Sequence, residues 1–155
     1  MTAKPDVQAL LFDVFGTVVD WRSSIIEDLT RFGAEKGLKA DWAAFTDDWR
    51  GLYQPAMDEV RSGRRPWTIL DVLHRESLEK LLVKHGVSGL SEADKDHINR
   101  VWHRLKPWPD AVAGLTRLKQ QYIISPLSNS DFDCLVHMAK HARLPWDVIL
   151  CAELF

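Results

Sequence analysis

Three short stretches of the chain are almost continuously apolar, and polar residues follow the first two. They are VQALLF at 7–12, YIISPL at 122–127 and VILCA at 148–152. A short apolar run without polar alternation is typical of a strand that is buried on both faces, as in a parallel sheet. The first run ends at Asp13, with Gly16 marking a turn beyond it, and the second ends at Ser128. We therefore predict strands at these stretches, two of which end in polar residues.

Between the first two runs, apolar residues recur at the spacing of amphipathic helices. The stripes are Ile25, Ile26, Leu29 and Phe32; Trp42, Phe45, Trp49 and Leu52; Leu70, Leu73, Leu78, Leu81 and Leu82; and Ile98, Val101, Trp102 and Leu105. We expect Asp41 to cap the second helix, Pro55 to kink or end it, and Gly86 to close the third. Ser91 and Asp94 resemble a capping box ahead of the fourth. The block contains no strong strand signal.

Helix and strand alternate again after this block. Pro107-Trp108-Pro109-Asp110 ends it, and Asp110 is placed to cap the next helix. Ser130 or Asp131 is placed to cap a further helix that runs to about Arg143. Strands that alternate with helices imply right-handed crossovers and a parallel sheet.

The predicted fold is therefore α/β, with a Rossmann-like parallel sheet of about three strands and an inserted helical cap subdomain. The sheet would take residues 1–20 and 107–155, and the cap would take 21–106. Because one strand precedes the cap, the chain would leave the sheet early and return to it only after the whole helical block.

Composition excludes several classes of protein. A length of 155 residues suits one domain, and a formal net charge of −2 gives no basic excess for nucleic acid or for an anionic membrane. No window approaches the roughly 18 apolar residues of a membrane span, and MTAKPDVQALLFDVF does not resemble a signal peptide. Cys134 and Cys151 form no CxxC pair and suit a reducing compartment. We therefore expect a cytoplasmic protein.

Residues that could carry chemistry follow the first two predicted strands. Asp13-Val14-Phe15-Gly16-Thr17 comes after the first, and Ser128-Asn129-Ser130 comes after the second. In open α/β sheets, ligands bind at the carboxyl ends of the strands. A carboxylate in such a turn can act as a nucleophile, backbone N–H groups can hold an anion, and Thr17 can orient the carboxylate. The alternative is that Asp13 only stabilises the turn.

LLFDVFGTVVDW and PLSNSDF resemble the first and second motifs of the haloacid dehalogenase superfamily. The resemblance is closest to the L-2-haloacid dehalogenase (type II) branch and covers the whole 155 residues. Phosphatases of this superfamily usually carry a second Asp two residues after the nucleophile, as a general acid for the leaving alcohol. Here that position is Phe15, which cannot donate a proton, whereas a halide leaves without one. The resemblance therefore implies dehalogenation with no metal ion and no other cofactor.

The resemblance also implies a mechanism. Asp13 would displace halide from C2 of a short 2-haloacid, and water would hydrolyse the resulting ester to a 2-hydroxy acid. Backbone N–H groups near Val14 and Phe15, together with Ser128, would hold the substrate carboxylate. Asn129 would contact the departing halide.

An arginine of the cap completes the implied site. Arg50 stands where the family has this residue and would help to cradle the halide, although a solvated helix arginine is the alternative. Four further residues are candidates for the pocket wall, and core packing explains each at least as well. They are Trp21, Trp49, Leu52 and Tyr53.

The family continues beyond the point where this sequence stops. After the third strand it has a lysine in a KP context and later an acidic motif, and this sequence ends at Phe155 before either. Lys106, Lys119 and Lys140 all precede the third predicted strand and do not fit that role. We therefore expect a C-terminally truncated chain with impaired activity. The first strand would be an exposed apolar edge, so we expect self-association, for example as a homodimer.

Two other functions remain open at this point. A superfamily phosphatase would release phosphate in the presence of Mg²⁺, and Phe15 argues against it. An inactive fragment or decayed relative would account for the missing lysine and acidic motif. His137 and His141 have the i,i+4 spacing of metal ligands on a helix, but no third ligand accompanies them, so we predict no metal site.

Overall fold

The computed structural model describes residues 7–155, which form a small parallel sheet with a helical block inserted after the first strand. The first six residues of the predicted core segment 1–20 lie outside this part of the chain. The elements in chain order are β1 (Ala9–Phe12), β2 (Val19–Asp20), α1 (Trp21–Lys36), α2 (Trp42–Arg61), α3 (Leu70–Lys84), α4 (Glu92–Asn99), β3 (Lys106–Pro107), α5 (Ala111–Leu118), β4 (Ile123–Ser128), α6 (Phe132–Ala142) and β5 (Leu150–Cys151). A 3₁₀ turn at Arg100–Arg104 follows α4, and another at Ala152–Leu154 follows β5.

β1, β4 and β5 form a parallel sheet in the order β1-β4-β5, which confirms the predicted α/β fold. β1 and β4 pair from Ala9 with Ile123 to Phe12 with Pro126. β5 is shorter than its apolar run and pairs only through two residues. Since parallel strands end at the same edge of a sheet, the residues that follow β1 and β4 are brought together.

One face of this sheet is open within residues 7–155, so the prediction that 7–12 is buried on both faces is wrong. Ile124 and Cys151 are fully buried on the packed face. On the opposite face, Leu11 is 54% exposed and Ile123 is 55% exposed. An apolar run is compatible with neighbours on both faces, but the described helices cover only one of them. β1 also lies at the edge of the described sheet.

The helical block contains two predicted caps but not the predicted break. Asp41 accepts a hydrogen bond from the first turn of α2 (2.9 Å), and Ser91 and Asp94 form the capping box of α4. α2 nevertheless continues through Pro55, so of the two predicted effects of the proline an end of the helix is wrong, and a kink stays a prediction. The N–H that Pro55 lacks would have bonded to the carbonyl of Gly51, and both residues are exposed, so water can replace it.

A two-residue antiparallel ladder, which the sequence pattern did not predict, closes the base of the helical block. Val19 pairs with Pro107, and Asp20 pairs with Lys106. Asp20 also caps α1 by accepting a hydrogen bond from its first turn (3.1 Å). The ladder lies where the sequence predicts the change from sheet to cap, and the division into two units remains an interpretation.

Large aromatic side chains fill the centre of the molecule. Phe45, Trp49 and Trp102 are almost completely buried, and Trp49 meets each of the other two edge to face. The indole N–H of Trp49 donates to the backbone carbonyl of His74 (3.2 Å), so its polar atom is paired despite burial. Among the described residues, no helix combines the length and the apolar character needed to cross a membrane.

Candidate active site

A small hollow of about 50 Å³ lies between the carboxyl ends of β1 and β4 and the helical block. The predicted site residues that line it are Asp13, Phe15, Arg50, Ser128 and Asn129. Five further residues line it, and of these the sequence did not single out His74. It named Leu70 and Trp102 only as members of helical stripes, Ser130 only as part of the second motif, and Tyr53 only as a candidate for the pocket wall. The hollow has room for a few water-sized groups, so it suits a ligand with few heavy atoms.

The turn after β1 holds Asp13 in a defined orientation. Thr17 donates its hydroxyl hydrogen to Oδ2 of Asp13 (2.7 Å), which leaves Oδ1 without this contact. Gly16 has a φ of +98°, a conformation that favours glycine, and its N–H donates to the carbonyl of Val19 (2.9 Å). Val14 is fully buried beneath the turn, and contact of its N–H with a substrate remains a prediction.

Arg50 reaches the hollow from α2 between two aromatic rings. Its guanidinium carbon lies 4.4 Å from the ring centroid of Tyr53 and 5.6 Å from that of Trp21. Within residues 7–155 it has no ion-pair partner, so its charge is not neutralised by a carboxylate. The hydroxyl of Tyr53 in turn accepts a hydrogen bond from Nδ2 of Asn129 (3.1 Å). Aromatic stacking thus positions a cation beside the residues that follow β4.

His74 forms an uncharged part of the wall. Its ring stacks on Trp102 with centroids 4.4 Å apart. Burial lowers its pKa from 6.5 to about 3, and the nearby charge of Arg50 also acts against protonation. His74 is therefore neutral at physiological pH, and Arg50 supplies the positive charge of the hollow. His74 follows Leu70 by four residues on the buried stripe of α3, and this spacing could have identified it.

Asp110 and Asp131 lie where the sequence predicts N-caps, but neither side chain caps the helix that follows it. The buried carboxylate of Asp131 instead accepts hydrogen bonds from the backbone N–H groups of Leu70 and Asp71, each at 2.7 Å. It therefore caps α3, in the helical block. Burial, reinforced by the charge of Asp71, raises the pKa of Asp131 to about 6. The loop after β4 is thereby fastened to the helix that carries His74.

Several other candidates lie away from the hollow. Trp49 belongs to the central core, and Leu52 borders a separate surface hollow. Trp21 lies beneath Arg50 without lining the hollow. His137 lies 3.2 Å from a carboxylate of its own helix, whereas His141 borders a different polar depression, so the two histidines do not form a pair.

No family model matches the sequence, and no curated protein matches it. Among solved structures, a defluorinating L-2-haloacid dehalogenase is 47% identical over 96% of this chain and 61% of its own length, with a TM-score of 0.92. A second L-2-haloacid dehalogenase is 50% identical over 96% of this chain and 64% of its own, with a TM-score of 0.93. The L-2-haloacid dehalogenase of Xanthobacter autotrophicus with chloropropionic acid covalently bound is 24% identical over 96% of this chain and 58% of its own (TM-score 0.79), which shows a shared fold. This chain therefore spans less than two thirds of the length of these relatives.

Proposed function

Because the chain belongs to the L-2-haloacid dehalogenase family of the haloacid dehalogenase superfamily, we propose that it converts short (S)-2-haloacids to 2-hydroxy acids. One observation carries the proposal: the carboxylate of Asp13 and the guanidinium of Arg50 border the same small hollow. A nucleophile and a cation on one substrate-sized space suit the displacement of an anionic leaving group from a small molecule.

In the proposed first step, Oδ1 of Asp13 attacks C2 of the substrate, the C–O bond forms as the carbon–halogen bond breaks, and halide leaves with the bonding electrons. The hydrogen bond from Thr17 holds Oδ2, so Oδ1 is the free oxygen. In the second step, water attacks the aspartyl ester carbonyl. This step releases the 2-hydroxy acid and a proton, and it regenerates Asp13.

Binding of the substrate is assigned to residues on both sides of the hollow. We assign the substrate carboxylate to Ser128 and to the backbone N–H groups of Val14 and Phe15, and the halide to Arg50 and Asn129. The stacked position of Arg50 supports this role, because its side chain lines the hollow and no carboxylate of the described chain lies within ion-pair distance of it. The volume of about 50 Å³ favours a short carbon chain.

Phe15 supports dehalogenation over phosphate hydrolysis. It lines the hollow, where a superfamily phosphatase would require a proton donor for the leaving alcohol. Halide is a weak base and needs neither a proton nor a metal ion to leave, so the proposed reaction runs without either. We also propose that residues 21–106 act as the cap that covers the hollow, and that the exposed β1 edge promotes self-association.

The test is incubation of the purified chain with (S)-2-chloropropionate in water enriched in ¹⁸O, followed by halide assay and mass spectrometry. We expect chloride release or a covalent ester on Asp13, and ¹⁸O in the Asp13 carboxylate if the ester turns over. Asp13→Asn should abolish all three signals, and Asp110→Asn, at a matched exposed position, should preserve them. A folded chain that gives neither chloride nor adduct refutes the proposal.

A further inference from the structure

His103, in the 3₁₀ turn that ends the helical block, has a buried ring nitrogen without a partner. Its side chain is 5% exposed, and Nε2 lies 2.8 Å from Oδ2 of Asp71. Because a carboxylate can only accept there, Nε2 carries the proton in the neutral ring, and Nδ1 presents a lone pair. No hydrogen-bond donor within residues 7–155 meets that lone pair. A buried acceptor left in this way calls for an explanation.

The unpaired nitrogen lies next to two further donor atoms on α6. Oδ2 of Asp133 is 3.8 Å from Nδ1 of His103 and 3.2 Å from Nδ1 of His137. Each of the three residues offers one ligand atom that lies within 4.8 Å of those of the other two. Asp133 and His137 are four residues apart, so both project from the same face of the helix. The two are about half exposed, which leaves one side of the group open to water.

We propose that His103, Asp133 and His137 bind a divalent transition-metal ion, with Zn²⁺ as the representative ion. Metal–nitrogen and metal–oxygen bonds of about 2.0–2.2 Å place neighbouring ligand atoms of a tetrahedral site roughly 3.4 Å apart. The distances of 3.2 and 3.8 Å lie on either side of that value. The open side provides the fourth position for a water molecule.

The surroundings of His103 match those of a metal ligand. A histidine that binds metal through one nitrogen usually donates its other N–H to a carboxylate, which fixes the tautomer and the ring orientation. Asp71 makes this contact. Two imidazoles and one carboxylate favour zinc and its neighbours over calcium or magnesium, which prefer oxygen ligands. An ion pair between Asp133 and His137 alone would leave Nδ1 of His103 unexplained.

The proposed ion would join two parts of the fold. His103 belongs to the end of the helical block, and the other two ligands belong to the helix that follows β4. It would therefore hold the block against α6, outside the hollow that contains Asp13. Cys134 is close, but burial raises the pKa of its thiol and its hydrogen bond goes to the carbonyl of Trp102, so it is not assigned as a ligand.

The test is titration of the full chain with ZnCl₂ by isothermal calorimetry, together with the visible absorption spectrum of the Co²⁺ form. We expect one ion per chain and an absorption band typical of tetrahedral Co²⁺. Asp133→Asn and His137→Ala should each weaken binding by more than the roughly tenfold that loss of an outer carboxylate costs. His141→Ala, an exposed histidine of the same helix, should bind as the original chain does.

His103→Gln keeps an amide that can donate to Asp71 but removes the lone pair of Nδ1, so it should lose binding while its circular dichroism spectrum is unchanged. Asp13→Asn should leave binding intact, which separates this site from the proposed catalytic one. The proposal is overturned if the original chain does not bind Zn²⁺. It is equally overturned if a folded His103→Gln or His137→Ala chain binds as tightly as the original.

Discussion

Replacing His74 by phenylalanine should make the stability of the protein less sensitive to acid. Burial lowers the pKa of His74 from 6.5 to about 3. A phenyl ring can preserve the stacking on Trp102, whose centroid is 4.4 Å away. Nδ1 of His74 has no hydrogen-bond partner in the described chain, so removing this atom breaks no hydrogen bond. The change therefore isolates the titration of this side chain.

The expected magnitude follows from the two pKa values. Between them, the unfolded chain binds a proton on His74 that the folded chain does not bind. The stability that a neutral His74 contributes is complete above pH 6.5 and is lost as the pH falls towards 3. Between pH 8 and pH 5 this loss is about 2 kcal/mol. His74→Phe lacks the titrating group. Between pH 8 and pH 5 its free energy of unfolding should therefore decrease by about 2 kcal/mol less than that of the original chain.

Urea unfolding of both proteins at pH 8 and pH 5, at one ionic strength, measures this difference. All other titrating groups are shared, so to first order their contributions cancel. The imidazole resonances of His74 should also stay unchanged over the same interval in the folded protein. Equal losses of stability in the two proteins, or a His74 resonance that titrates between pH 8 and pH 5, would refute the reasoning.

Three further substitutions test the packing and the proposed halide site. Gly33→Ala in α1 should lower the melting temperature although alanine favours helix, because a Cβ there would lie 2.8 Å from the ring of Trp42. The control is Gly114→Ala in α5, where an added Cβ has no neighbouring atom within 4 Å, so this variant should gain up to about 1 kcal/mol of stability. Equal changes of melting temperature in the two alanine variants would contradict the packing argument. Arg50→Ala should slow halide release by roughly 10²–10³-fold with little change in melting temperature. Unchanged kinetics would show that Arg50 does not bind the departing halide.

Local chemistry explains what could be predicted from the sequence. The strand at 123–128, the caps at Asp41 and Ser91 and the turn at Gly16 each depend on residues close together along the chain. The convergence of Asp13 with Ser128 also follows from a general property of parallel sheets. For this reason the fold class and half of the lining residues could be assigned before the structure.

The features that were missed depend on partners distant in sequence. Asp131 is a residue type that is common at N-caps and precedes α6. Its carboxylate nevertheless accepts hydrogen bonds from the first amides of α3, which lie about 60 residues earlier. The spacing of His137 suggests His141 as its neighbour, whereas the structure brings His103 to it from another element. The exposed face of β1 likewise depends on which side the helices occupy, and an apolar run carries no such information.

The ladder between Val19–Asp20 and Lys106–Pro107 bears on the order of folding. β1 and β4 are separated by roughly 110 residues, so pairing them directly would close a long loop. Once the ladder has formed, the helical block no longer contributes to that loop, and only about 20 residues remain within it. The entropic cost of closure then falls by on the order of 1 kcal/mol. The helices, whose contacts are largely local, can thus fold first and bring the strands within reach of one another.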